Sequence, residues 1–149
     1  MLKEKKLNLL YFSFGTSFII ILDQFIKYKI RQIGGFYICN KGISFGIQIM
    51  PIFFGLFVGI LFIASLFYFY YNLSKNKTID LLISISLILI FSGAISNFLD
   101  RIYLGCVIDF ISIPILNFPI FNIADIAISI GGLIIFYNIQ RKKTKTVDN

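Results

Sequence analysis

The sequence predicts an all-α integral membrane protein, a four-transmembrane-helix bundle with a small extracytoplasmic β element. Three observations predict it. The 149 residues are 58% hydrophobic and 14% charged, whereas a soluble domain carries about 25% charged residues. Four apolar stretches each reach the roughly 20 residues needed to cross a bilayer. Lysine and arginine gather at the ends of those stretches. The same composition excludes a water-soluble globule, a disordered chain and a disulfide-stapled secreted module. With no histidine in the chain, the usual zinc-hydrolase, Ser-His-Asp and Cys-His chemistries are excluded as well.

The predicted spans are residues 7–26, 51–71, 81–99 and 121–139. The second and third hold no charged residue, and the first and fourth hold one aspartate each, Asp23 and Asp125. In lipid every backbone polar group needs an internal partner, so helices are the economical reading. Lys3, Lys5 and Lys6 before the first apolar run resemble a signal-peptide start. The run ends in Ile19-Ile20-Ile21-Leu22-Asp23 without a small-x-small cleavage site, so it reads as the first helix. No linker, repeat or low-complexity tract divides the chain, so residues 1–149 form one domain, with a tail, 141–149, expected to fray.

Orientation follows from the cations. Lys3, Lys5, Lys6, Lys75, Lys77, Arg141, Lys142, Lys143 and Lys145 fall on one side; Lys27, Lys29, Arg31, Lys41 and Arg101 fall on the other. The richer side is expected to be cytoplasmic, with both termini inside and segments 27–50 and 100–120 outside. The net charge of +7 then reflects topology and lipid headgroup contact rather than nucleic-acid binding, because it is divided among separate membrane-flanking clusters. On the outer side, Asn40-Lys41-Gly42 is a turn signal. After it, Ile43, Phe45, Ile47 and Ile49 alternate with Ser44, Gly46 and Gln48, the period of a half-buried strand. The apolar segment 110–120, with Pro114 and Pro119, is expected to dip into the interface.

Glu4, Asp80 and Asp148 lie in cytoplasmic flanks. The remaining acids share one height. At 1.5 Å of rise per residue, Asp23 stands roughly 25 Å from Lys6, Asp100 about 28 Å from Leu81, and Asp125 about 24 Å from Arg141. Asp109 follows Asp100 by a short loop and can reach the same layer, near the outer boundary of the membrane. Carboxylates there are costly and tend to face the bundle interior in functional sites. Each also has a plainer reading. Asn122 and Asp125 have N-cap and N3 spacing; Asp100 can form a structural ion pair beside Arg101; Asp23 and Lys27 can form a local salt bridge four residues apart. Asp109, in Val107-Ile108-Asp109-Phe110, has no nearby cation in sequence.

Two aspartates in a poorly hydrated place share a proton, so one can activate water while the other polarises a peptide carbonyl. This needs neither metal nor cofactor. A Ser–Lys dyad of Ser44 with Lys41 or Lys27 is poorer, since both lysines also read as interface residues. Cys39 and Cys106 could pair on the outer side or pack as small apolar residues. Ser92 and Ser96, beside Gly93 and Asn97, form a small-residue face for helix packing, and Gly131 and Gly132 read the same way. A proton-coupled transporter or channel using the acids as a relay is the alternative of a different class. A structural membrane subunit is a third.

Four blocks sharpen the reading: Asp23-Gln24-x-x-Lys27; Asn40-Lys41-Gly42-Ile43-Ser44-Phe45-Gly46; Gly93-Ala94-Ile95-Ser96-Asn97-Phe98-Leu99-Asp100-Arg101 running on through Gly105-x-Val107-x-Asp109-Phe110; and Phe121-Asn122-Ile123-Ala124-Asp125. In this order, on this topology, the chain resembles the bacterial lipoprotein signal peptidases (signal peptidase II), membrane aspartic proteases. The resemblance implies that Asp109 and Asp125 are the catalytic pair. It implies that Asn40, Asn97, Asp100, Arg101 and Asn122 surround them, with Asp23 and Lys27 among the supporting positions. It implies a diacylglyceryl-modified prolipoprotein as substrate, cut just before the lipidated cysteine, in the bacterial cytoplasmic membrane near its outer leaflet. Membrane lipids are the other expected partners, and the protein is expected to be a monomer. The family usually has Gly at the positions of Ser92 and Ser96 and a small residue at Ile43, departures that touch helix approach and cleft shape and leave the aspartates in place.

Overall fold

The structure, a computed structural model, describes residues 2–42, 59–60, 81–116 and 118–147. The predicted second span, 51–71, lies outside the described residues apart from 59–60, and the predicted strand at 43–49 lies wholly outside them. Among the described residues, three helices are long and apolar enough to cross a membrane, through Leu10–Gln32, Leu81–Leu104 and Ile123–Arg141. They belong to α1 (Leu2–Gln32), α2 (Leu81–Leu104) and α3 (Ile123–Val147). Between α1 and α2 in sequence lies β1 (Ile38–Asn40); between α2 and α3 lie β2 (Val107–Asp109) and a 3-10 turn, Pro114–Leu116.

The helices outrun their apolar stretches. Hydropathy marks where lipid begins and ends, whereas a helix stops where its backbone hydrogen bonds are taken over by something else. In α1 that point is Gly34, which adopts a left-handed φ of 69°, while the Gly35 N–H donates to the Ile30 carbonyl at 2.9 Å. Gly105 (φ 72°) ends α2 in the same way, its N–H reaching the Arg101 carbonyl. From Arg141 the tail continues α3 to Val147, and it holds no Gly or Pro to stop it.

α2 is central, with 39% of its most apolar stretch buried, against 11% for α1 and 22% for α3. Close contacts fix its neighbours' directions. Gly15 faces Ile88 and Gln24 reaches Asp100, so α1 runs parallel to α2. Gly93 lies against Ala124 and Gly131 against Ser86, so α3 runs antiparallel. A methyl at Gly93 would collide with the Ala124 carbonyl oxygen, and one at Gly131 would stand 2.8 Å from the Ser86 carbonyl oxygen. These are the close approaches that helix association in lipid favours. Gly132, one residue and about 100° further round, is exposed and meets nothing within 4 Å among the described residues, so among these residues the packing role read for both glycines belongs to Gly131.

The burial pattern inverts that of a soluble protein. Leu10, Phe14, Phe18, Ile21 and Phe25 form an exposed stripe along α1, while Asp23, Lys27, Ser96, Asn97, Asp100, Asp109 and Asn122 are buried. Lipid solvates the apolar stripe and cannot solvate the polar groups, so the latter turn inward and find one another.

β1 and β2 pair antiparallel, in the register Ile38↔Asp109, Cys39↔Ile108 and Asn40↔Val107. The sequence placed a β element on this side. The strand seen is the short segment before the Asn40 turn, and its partner is the segment carrying Asp109. A bridge between Ile111 and Phe121 closes the loop that follows, with the Phe110 and Ile111 N–H groups both donating to the Phe121 carbonyl. The closure delivers Asn122 beside Asp109.

Candidate active site

The site is built at the last turns of α1 and α2, the first turn of α3 and the β1–β2 pair. α3 begins with a reciprocal cap: the Asp125 N–H donates to Asn122 Oδ1 at 3.0 Å, and the Asn122 N–H donates to Asp125 Oδ2 at 3.1 Å. Asp125 therefore caps α3, and the cap occupies one carboxylate oxygen. The other, Oδ1, accepts from Asn97 Nδ2 at 2.8 Å.

Asp109 ends β2 and is buried. Its Oδ1 accepts from Asn122 Nδ2 at 2.6 Å and its Oδ2 from Asn40 Nδ2 at 2.9 Å. Asn122 thus contacts both aspartates, one through its side-chain amide and one through the cap. Burial raises the Asp109 carboxyl above its ordinary range; the neighbouring Asp125 charge adds to this, while the Asn40 and Asn122 hydrogen bonds and the Lys27 charge oppose it.

Beneath the pair lies a buried ionic layer. Lys27 Nζ meets Asp23 Oδ2 at 2.7 Å, Asp100 Oδ2 at 2.8 Å and Asn97 Oδ1 at 2.9 Å, which uses all three ammonium donors. The expected local pair of Asp23 with Lys27 is present, and it is part of a three-helix network. The ion pair seen for Asp100 is to Lys27, on another helix. Asp23 Oδ1 accepts the Ala124 N–H at 3.1 Å, so a carboxylate of α1 meets the positive end of α3. Asp100 Oδ2 accepts the Ile108 N–H at 3.2 Å and anchors β2 to α2. Arg101 spans outward, donating to the Asn97 carbonyl at 3.2 Å and to the Gly42 carbonyl at 2.9 Å. The Gly42 N–H returns to Asn40 Oδ1 at 2.9 Å and orients that amide toward Asp109.

All nine residues singled out from sequence, Asp23, Lys27, Asn40, Asn97, Asp100, Arg101, Asp109, Asn122 and Asp125, join this one connected network. Two members were missed as site residues. Gln24 Nε2 donates to Asp100 Oδ1 at 2.8 Å and to Ser96 Oγ at 3.0 Å. Ser96, read as a packing residue, donates to Asp23 Oδ2 at 2.6 Å. The signal for Ser96 was available: it lies four residues before Asp100, one helical turn away on the same face. Cys39 and Cys106 form a disulfide with Cα atoms 5.4 Å apart, which decides between the two readings left open for them. Among the described residues no three His, Cys, Asp or Glu side chains converge as a metal ion would require.

The family model described as "Signal peptidase (SPase) II" matches residues 16–141. A lipoprotein signal peptidase of Syntrophus aciditrophicus (strain SB) is 39% identical over 162 residues, covering 95% of this chain and 99% of that one. One from Streptococcus thermophilus (strain CNRZ 1066) is 38% identical over 117 residues, covering 78% and 74%. Two solved bacterial membrane enzymes superpose with TM-scores of 0.79 and 0.73, at 29% and 30% identity. The first covers 90% of each chain, the second 86% of this chain and 91% of the other. Together with three membrane-length helices and a buried polar network at one end of them, these likenesses identify the chain as a bacterial membrane protease that belongs to the signal peptidase II family.

Proposed function

We propose that this chain removes the signal peptide from prolipoproteins whose lipobox cysteine carries diacylglycerol, cutting just before that cysteine with Asp109 and Asp125 as the reacting pair. The observation that carries the reading is that one residue, Asn122, donates a hydrogen bond to each of the two carboxylates, which in this reading share one proton. Sharing fits a buried site, where two adjacent negative charges are costly. The ionised carboxylate takes a proton from water as that water attacks the scissile carbonyl. The protonated one donates to the carbonyl oxygen, and proton return to the leaving nitrogen breaks the C–N bond. Asn40, Asn97, Asn122 and Arg101 hold the pair, and the Asp23–Lys27–Asp100 layer holds them.

The site faces the outer leaflet in this reading, with both termini cytoplasmic and a single membrane-embedded domain acting as a monomer. The Cys39–Cys106 disulfide supports that orientation, since such bonds persist in oxidising compartments. Ile113, Ile115 and Phe118 are exposed in the loop before α3, which suits contact with lipid. The buried acids of the described residues lie together at one end of the helices, an arrangement that suits hydrolysis better than a relay across the membrane. The test is incubation of the purified chain with a diacylglyceryl-modified prolipoprotein. Wild type should release the signal peptide, and Asp109→Asn and Asp125→Asn should each lose roughly 10²–10⁴-fold in rate. Full processing by both variants, or proton flux in liposomes with no cleavage, refutes the proposal.

A further inference from the structure

We propose that the Cys39–Cys106 disulfide is a positioning element for Asp109, holding β1 in the register that aims Asn40 at that carboxylate; this rests on the peptidase reading above. The β1–β2 ribbon is only three residue pairs long. Two-stranded pairs of this size are marginal by themselves. No turn joins these strands either: the two cysteines are 67 residues apart in sequence, so no short hairpin loop sets the register. A slip of one residue turns every side chain of a strand to the opposite face. Asn40 would then point away from Asp109.

Strand alternation divides the ribbon into two faces. Asn40, Val107 and Asp109 lie on one, and Cys39, Cys106 and Ile108 on the other. The disulfide therefore staples the back of the ribbon at the residues adjoining Asn40 and Val107, while the Asn40-to-Asp109 hydrogen bond of 2.9 Å occupies the front. Arg101 bound to the Gly42 carbonyl is a second tether on the same segment. Losing the disulfide should accordingly loosen the register without releasing β1.

Cys39 is exposed and Cys106 buried, so a small dithiol can attack from the Cys39 side. In that reaction the Sγ–Sγ bond breaks, the two sulfurs gain two electrons and two protons, and the reductant's two thiols become its own disulfide. The groups that face Asp109 are Asn40 on β1, Asn122 capping α3 and Asp125 in its first turn, Lys27 on α1 and Arg101 on α2; Lys41, exposed, follows β1 directly. Only the Asn40 contact depends on the ribbon's register. It favours the ionised form of Asp109, so its loss should move the carboxyl titration toward higher pH.

The experiment compares the full chain in lipid nanodiscs, oxidised and after dithiothreitol, with the Cys39→Ser/Cys106→Ser variant and with Asn40→Ala. The readouts are cleavage of a diacylglyceryl-modified prolipoprotein and the Asp109 carboxyl titration by infrared spectroscopy, assigned by difference from Asp109→Asn. Reduction should lower the wild-type kcat about tenfold, the scale of one hydrogen bond to a charged group, with KM changed less. The double serine variant should match reduced wild type and ignore the reductant. In Asn40→Ala, reduction should change kcat less than about twofold, because the contact it acts through is already gone. An equal fall in Asn40→Ala would make the disulfide merely structural and overturn the proposal, as would an unchanged wild-type kcat. An oxidised wild type that cuts nothing sinks the peptidase reading instead. The positioning proposal then stands or falls on whether reduction shifts the Asp109 titration to higher pH.

Discussion

Asn122 and Asp125 cap one another at the head of α3, and the exchange uses only one of the aspartate's two oxygens. The free oxygen turns to Asn97, and the asparagine's amide turns to Asp109. A structural motif and, in the proposed mechanism, a reactive one thus share the same two residues. The cap fixes the helix start, the helix start fixes where Asp125 stands, and the leftover valences of the cap aim both carboxylates.

Two substitutions of Asn122 should separate these duties. Asn122→Ser keeps a good cap, so its thermal unfolding in detergent should stay near wild type. Having lost the donor to Asp109, it should lose roughly 10–100-fold in kcat. Asn122→Ala should lose the same activity and also about 1 kcal/mol of stability. Wild-type kcat in the serine variant would falsify the linking role.

Lys27 is the only cation bonded to both Asp23 and Asp100 among the described ion pairs. Lys27→Met leaves two buried carboxylates without it, and breaking a buried pair in this way costs about 3–5 kcal/mol. Thermal unfolding of the variant should show that loss. A melting temperature within a degree or two of wild type would mean that the layer is hydrated rather than dry.

Helix approach can be tested with a contrasting pair. Gly93→Ala should destabilise by about 1–3 kcal/mol, because its methyl meets the backbone carbonyl of Ala124 on α3, which cannot swing aside, as well as the Ile128 side chain. It should also lower kcat, since Ala124 and Asp125 shift together. Gly132→Ala, at an exposed glycine with no neighbour within 4 Å among the described residues, should stay within about 0.5 kcal/mol of wild type. Equal effects at the two glycines would contradict the packing described.

Titration of Asp109 makes a signed prediction. Its carboxyl is raised in the folded chain, so between the ordinary carboxylate pKa and the raised value the folded state binds more protons than the unfolded one. Stability contributed by this group is then present at lower pH and falls as pH rises through that window. Asp109→Asn should flatten that fall in denaturation followed against pH. In the proposed mechanism the shared proton is lost on the same rise, so kcat should decline on the alkaline side. Asn40→Ala, which removes a hydrogen bond favouring the ionised form, should move that decline to higher pH.

By itself the sequence determined the membrane class, three spans that the structure carries as helices, the common height of Asp23, Asp100, Asp109 and Asp125, and the cap at Asn122. Each is a property of composition, of helical rise counted along a single span, or of residues a few positions apart, where capping rules apply directly. Only the tertiary structure decided that Lys27 serves Asp100 as well as Asp23, that Ser96 bonds Asp23, that Asn40 meets Asp109, and that Cys39 pairs with Cys106. Those partners lie about 70 positions apart in sequence. Their meeting depends on how α1 and α2 are rotated and on the register of a three-pair ribbon, and local periodicity carries no information about either. The extent of the helices divided in the same way: hydropathy found the lipid-facing length, while Gly34 and Gly105 set where the backbone turned.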